Sequence, residues 1–205
     1  MHINWIGQTC VRLQTKNLDE DVVVIIDPYK PDQGDFPRSL SPQIATYSKG
    51  QEGSVTMSQN PFIMDTLGEV EVKGVLVNAF ASPDDNIIFK IVIENLNVVH
   101  LGRLTKKLEN GNLEPIMSPD VLLIPVGGNG TYLDPEIAAD LVTALEPRII
   151  IPIAYHSDTD PKALPVENFI KQVGLKPEST EKKLILKKKD LPQEETKLYI
   201  LEKNY

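Results

Sequence analysis

The sequence predicts a mixed α/β (α+β) fold, strand-rich in its first half and built of strand–helix–strand units in its second. Two periodicities carry this reading. From Ile3 to Glu94 the apolar residues fall in short alternating or β-branched runs broken by Gly, Pro, Asn and Asp. After Val121 such runs alternate with segments whose apolar residues recur every three or four positions. Two sheets packed face to face with helices outside satisfy both patterns, though periodicity alone establishes only mixed α and β. At 205 residues and 41% apolar composition the chain can bury one core, so a single domain over residues 1–205 is expected.

Taken in order, Ile3-Asn4-Trp5-Ile6 alternates and stops at Gly7, and Cys10 to Leu13 forms a second short run. Asp21 to Ile26 is continuous and β-branched, as in a strand buried on both faces. Residues 27–42, with Pro28, Pro31, Pro37 and Pro42, read as a long irregular loop, and Ile44 to Tyr47 as one more strand. Val70 to Ala81 and Asn86 to Glu94 are strand-like around the turn Ser82-Pro83-Asp84-Asp85. Asn95-Leu96-Asn97 then turns the chain into Val98-Val99-His100, which makes an antiparallel meander.

Val121 to Pro125 is the first strand of the second half. Asp134-Pro135-Glu136 marks a helix start, with Asp as N-cap, Pro in the first turn and a carboxylate near the positive end. Ile137, Leu141 and Leu145 form its apolar stripe, and Glu146-Pro147 ends it. Arg148 to Ile153 is the next strand. Val166, Phe169, Ile170 and Val173 mark a second helical face with Gly174 as its C′ residue. Leu184–Leu186 and Leu198–Leu201 supply the last strands.

Composition removes several function classes. A net charge of −8 argues against a nucleic-acid partner, and Lys187-Lys188-Lys189 reads as a solvated segment beside a strand. Cys10 is the only cysteine, so it forms no intramolecular disulfide; it reads as a core strand residue and fits a reducing, cytoplasmic setting. No run of eighteen apolar residues exists, so no membrane partner is expected, and the N-terminus carries no signal-peptide core. Gly127-Gly128-Asn129-Gly130 lacks the residues of a phosphate loop and reads as turn geometry before the Asp134 helix. Asp84-Asp85 reads as a solvated turn, and His2 as an exposed residue at the edge of the first strand.

Three stretches carry a resemblance. They are Val98-Val99-His100-Leu101-Gly102-Arg103, Asp120 to Gly128, and Pro147 to Tyr155. They are similar to the "HxGD", "D-hydrophobic-PxGG" and "P-hydrophobic-IPMHY" stretches of metallo-β-lactamase-fold hydrolases. Ile3 to Cys10 is similar to an "ITWxGHSC" opening, with Gln8 where that histidine stands. Ile26-Asp27-Pro28 matches the "DP" after a sheet strand. Pro61 to Asp65 followed by Gly68 to Val75 resembles the "PFVIDxPGEYEVKGV" segment of small prokaryotic members similar to ascorbate-6-phosphate lactonases. The resemblance runs over nearly the whole chain and implies an αββα four-layer sandwich.

It also implies a site whose ligands are gone. The family's His-x-His-x-Asp-His motif binds one or two metal ions and activates a water. The stretch in its place is Thr46 to Ser54, which sets Lys49, Gln51, Gly53 and Ser54 at the ligand positions in one register and Tyr47, Lys49, Gln51 and Glu52 in another. The loop expected to carry the next histidine is the short Ala79 to Asp85. Arg103 stands where the bridging aspartate is expected, and Ala154 where the last histidine is expected. The chain has three histidines, His2, His100 and His156, fewer than the family's dinuclear site uses.

Seven residues are therefore candidates for a vestigial cleft: Asp27, Lys49, Gln51, His100, Arg103, Tyr155 and His156. No catalytic residue and no metal ligand is assigned. Arg103 could fill the emptied site and pair with Asp27 or Glu52. The leading expectation is a metal-free, catalytically degenerate protein, without cofactor, acting as a binding or structural subunit in a homo-oligomer or beside an active paralogue. Two alternatives stay open. One is a zinc-dependent hydrolase of a phosphoester or lactone with a site rebuilt from His100, His156 and Asp27, Asp158 adding oxygens; His156 lies two residues after Ala154, and positions i and i+2 share a face in extended chain. The other is a metal-free pocket for a small anionic metabolite, lined by Arg103, Lys49 and Gln51.

Overall fold

The computed structural model of the chain describes residues 1–17 and 20–204. Its strands are β1 (His2–Gly7), β2 (Cys10–Asn17), β3 (Glu20–Ile26), β4 (Ser39–Leu40), β5 (Ile44–Thr46), β6 (Thr56–Met57), β7 (Phe62–Met64) and β8 (Gly68–Val72). They continue with β9 (Val75–Ser82), β10 (Asn86–Ile93), β11 (Leu96–His100), β12 (Val121–Pro125), β13 (Ile149–Ile153), β14 (Pro177–Glu181), β15 (Leu184–Ile185) and β16 (Lys197–Leu201). The helices are α1 (Asn110–Leu113), α2 (Pro135–Leu145) and α3 (Val166–Val173).

These strands form a six-stranded sheet in the order β15-β1-β2-β3-β5-β7 and an eight-stranded sheet in the order β14-β16-β13-β12-β11-β10-β9-β8. The expected mixed α/β sandwich is observed. In the eight-stranded sheet β8 to β11 form the antiparallel meander, and β11, β12, β13 and β16 run parallel. All five residues of β12 and of β13 are buried, as central parallel strands covered on both faces must be.

The sheets share one apolar core. Ile3, Trp5, Val11, Leu13, Val22 and Val24 of the first are buried in the same cluster as Phe89, Ile91, Val98 and Leu123 of the second. Trp5 and Tyr155 meet across it with ring centroids 4.2 Å apart. A polar contact also joins the sheets: Glu94 accepts from the Met1 ammonium at 2.7 Å and from the Thr15 hydroxyl. Burial alone would raise the Glu94 carboxyl, but these two hydrogen bonds and the ammonium charge hold it below its usual value.

Helices α2 and α3 pack on each other and bury Ala138, Leu141, Leu145 and Phe169 in the core. Asp134 sits at the N-cap in extended conformation, yet its side chain makes no capping hydrogen bond, contrary to the expectation. α3 ends as expected at Gly174, whose φ of +69° closes the helix with an N–H to the Ile170 carbonyl. Among the described residues no helix lies between β1 and β8. The helices belong to the eight-stranded sheet, and the far side of the six-stranded sheet is covered instead by the 27–43 loop, where Tyr29, Phe36 and Leu40 pack on Ile6, Cys10 and Ile25. No described helix is long and apolar enough to cross a membrane.

The structure departs from the expected elements at several points. The run read as one strand from Val70 to Ala81 is two, β8 and β9. Lys73 and Gly74, at φ of +50° and +76°, make a two-residue hairpin turn between paired Val72 and Val75. The turn between β10 and β11 is Glu94-Asn95, both at positive φ, so Leu96 and Asn97 belong to β11. β7 and β14 had no expected counterpart. His2 is half-buried and pairs with both Gln14 and Ile185, so its strand is internal and not an edge. Lys188 is no free surface charge: its ammonium lies 2.8 Å from the buried Asp120 carboxylate.

Candidate functional site

Four chain segments meet at one end of the sandwich. The β1–β2 turn brings Gln8 and Thr9, and β3, β5 and β11 deliver Asp27, the 47–52 segment and Arg103 at their carboxyl ends. Together with Tyr29 they line a slot of about 30 Å³. That is room for roughly one or two waters, against roughly 300–1,000 Å³ for a typical ligand pocket.

His100 ends β11 and is fully buried. Its Nε2 lies 2.9 Å from the Thr9 carbonyl, and its Nδ1 accepts the Gly102 N–H at 3.0 Å. A carbonyl can only accept, so Nε2 carries the proton and Nδ1 supplies the lone pair. Both ring nitrogens are thus used inside the protein. Burial pulls the imidazole below its ordinary pKa, and the Asp27 charge and the Thr9 bond oppose this only in part.

Asp27 follows β3 in the left-handed region, at φ +49°. Its Oδ1 accepts the Ser48 N–H at 2.6 Å and its Oδ2 the Ser48 hydroxyl at 2.7 Å. Asn86, also buried, donates to the Leu101 carbonyl at 3.0 Å and accepts the Arg103 N–H at 2.7 Å. Ser48 closes the arrangement by accepting the Ile87 N–H at 2.9 Å. The left-handed φ of Gly102, +63°, and the 2.5 Å from its hypothetical Cβ to Asn86 Oδ1 explain why glycine occupies that turn. Sequence reasoning passed over Asn86 and treated Ser48 only as part of the motif stretch, because a side chain bonding to distant backbone leaves no periodic trace.

The seven candidate residues divide. Asp27, Lys49 and Arg103 line the slot, and His100 sits behind it through Thr9. Gln51 is exposed and donates to Asp65 at 2.7 Å, away from the slot. Tyr155 turns into the core, stacks near Trp5 and donates its hydroxyl to the Leu201 carbonyl. His156 is exposed and outside the slot. Ala154 adopts φ +57°, so the chain there is not extended and the i, i+2 relation fails. Asp158 pairs with Lys203 at 2.6 Å and accepts the Asp35 N–H at 2.9 Å instead of joining His100. Arg103 shares the slot with Asp27 and Glu52 but forms a salt bridge with neither. Cys10, buried beside Ile6 and Ile25, has its thiol held well above its ordinary pKa by burial and by the Asp27 charge.

Residues 2–154 match the family described as the beta-lactamase superfamily domain. The chain belongs to the metallo-β-lactamase superfamily. A Thermotoga maritima protein assigned as a Zn-dependent hydrolase of this superfamily is 28% identical, with a TM-score of 0.77 over 98% of each chain. The metallo hydrolase Igni18 from Ignicoccus hospitalis shares the fold at 15% identity and TM-score 0.60, over 84% of this chain and 90% of that one. The metallo-β-lactamase fold protein YhfI from Bacillus subtilis does so at 6% and 0.61, over 100% and 97%. No curated protein matches the chain by sequence.

Superfamily membership implies a metal centre, which tests the donors at the slot. Among the described residues no group of three or more His, Cys, Asp or Glu is placed to hold an ion. The one buried imidazole has no free lone pair, the one buried carboxylate of the slot is bound by Ser48, and two cationic side chains line the opening. As arranged, these residues do not fit the superfamily's metal centre.

Proposed function

We propose that the chain is a metal-free, non-catalytic member of the metallo-β-lactamase superfamily that serves as a binding or structural subunit, as a homo-oligomer or beside an active paralogue. The supporting observation is the internal use of His100: its Nδ1 accepts from Gly102 and its Nε2 donates to Thr9. A ligand must offer a lone pair toward the ion, and this imidazole has none to offer without breaking the turn that carries Arg103. Arg103 and Lys49 set two cationic side chains at the opening of the slot. Both disfavour a dication there.

The 28% identity to the Thermotoga maritima protein favours the second reading, a Zn-dependent hydrolase of a phosphoester or lactone with a rebuilt site. Turnover of bis(p-nitrophenyl) phosphate and of a simple aliphatic lactone, with added zinc or manganese, separates the two. No rate above buffer is expected. Metal-dependent turnover that is lost in His156→Ala or His100→Gln would overturn the proposal. The volume of about 30 Å³ also weighs against a sugar phosphate seated in the slot itself.

A further inference from the structure

The far side of the six-stranded sheet is only partly covered. The 27–43 loop seals Ile6, Cys10 and Ile25, but at the β1–β2 corner it leaves a concavity of about 580 Å³. Alternation along the strands places Asn4 of β1 and Arg12 and Gln14 of β2 on its floor, since Ile3, Trp5, Val11 and Leu13 point into the core. Ile6, Pro37 and Leu40 supply an apolar wall. Lys182, Lys183 and Asn204 from the C-terminal segments form the rim.

The charge is one-sided. Among the described residues three cations line the concavity and no carboxylate does, in a chain of net charge −8. Arg12 donates through Nη2 to Gln14 at 3.1 Å, which fixes its guanidinium on the floor. An anion in the concavity is the partner that this guanidinium and the two lysine ammonium groups favour together. Asn4 and Asn204 both donate to the Lys182 carbonyl, at 3.1 and 3.4 Å, which fixes the rim against the floor.

We propose that this concavity binds a small organic anion, a phosphate or carboxylate carried on an apolar body. The anionic group meets Arg12 and the Lys182-Lys183 pair, and the body lies on Pro37 and Leu40. The site is separate from the slot at Asp27 and Arg103, and the proposal does not rest on the loss of metal chemistry there.

Calorimetric titration of the full chain with 1-naphthyl phosphate, against neutral 1-naphthol, tests it. Saturable binding with Kd below about 1 mM is expected for the phosphate only. Affinity is expected to fall roughly tenfold or more in Arg12→Gln and in the doubly substituted Lys182→Gln/Lys183→Gln, and to stay unchanged in Arg103→Ala. The lysines are exposed, so the double variant keeps the test open should Arg12→Gln fail to fold. No saturable binding, equal binding of 1-naphthol, or binding lost in Arg103→Ala but kept in the other variants would each overturn the proposal.

Discussion

His100→Ala is expected to lower the unfolding free energy by about 3 kcal/mol or more, read by urea denaturation at pH 7.5. The substitution empties a fully buried position and strands two backbone groups, the Thr9 carbonyl and the Gly102 N–H. The Gly102 turn also presents Arg103 and is clamped by Asn86, so the loss extends beyond one side chain. His100→Gln keeps an acceptor and a donor and is expected to lose clearly less. An equal loss in both variants would show that packing, not the two hydrogen bonds, holds this position.

The same residue gives the protein a pH signature. Its folded pKa is depressed chiefly by burial, while the unfolded imidazole titrates near its ordinary value of 6.5. Below about that pH the unfolded chain takes up a proton that the native state resists, so stability falls with acid. The decline continues until the pH passes the folded pKa, and then this contribution levels off. A proton arriving at Nδ1 would face the Gly102 N–H, donor against donor. Between pH 7 and pH 5 the stability of His100→Gln is therefore expected to change less than that of the parent.

Gly127→Ala is the second large effect. A Cβ at Gly127 would lie 2.1 Å from the Ala154 carbonyl oxygen, 2.8 Å from the Tyr132 ring and 3.0 Å from the Ala163 methyl. The first of these is backbone at the exit of β13, so no rotamer change relieves it. The neighbouring Gly127 carbonyl also accepts the Leu164 N–H at 2.8 Å, which ties the segment to the chain leading into α3. A loss of about 3 kcal/mol or more is expected, a fall in Tm of roughly 6–12 °C for a chain of this size. Gly130→Ala is the control. Gly130 sits at φ +71° with open space around it, so only the backbone cost of roughly 1 kcal/mol applies. Equal shifts in the two variants would mean that the 2.1 Å contact relaxes freely.

Much of the scaffold was legible in the sequence because burial imposes a period. β12 and β13 stand out as unbroken apolar runs, and Gly174 follows its helical stripe where a left-handed C′ residue is required. The Lys73-Gly74 turn was hidden because its first residue is not the Asn or Asp that usually marks such hairpins. The site was legible as a neighbourhood and not as a set of contacts. Asp27, Lys49 and Arg103 were found through family positions, and the structure brings them to one slot. His156 and Tyr155 were misplaced because Ala154 leaves the extended region, which rotates everything after it. The bonds from Ser48 to Asp27 and from Asn86 to Arg103 span 21 and 17 residues and follow no period.

The two buried donors at the slot, His100 and Asp27, are engaged by the protein's own backbone and hydroxyl groups. Metal stoichiometry by inductively coupled plasma mass spectrometry, on protein expressed in medium supplemented with zinc, manganese and iron and purified without chelator, tests this most directly. Less than about a tenth of an equivalent of each metal is expected, because functional zinc sites bind tightly enough to survive purification. One equivalent or more that disappears in His100→Gln or His156→Ala would contradict the account and would mean that the bonds to Thr9, Gly102 and Ser48 give way to an ion.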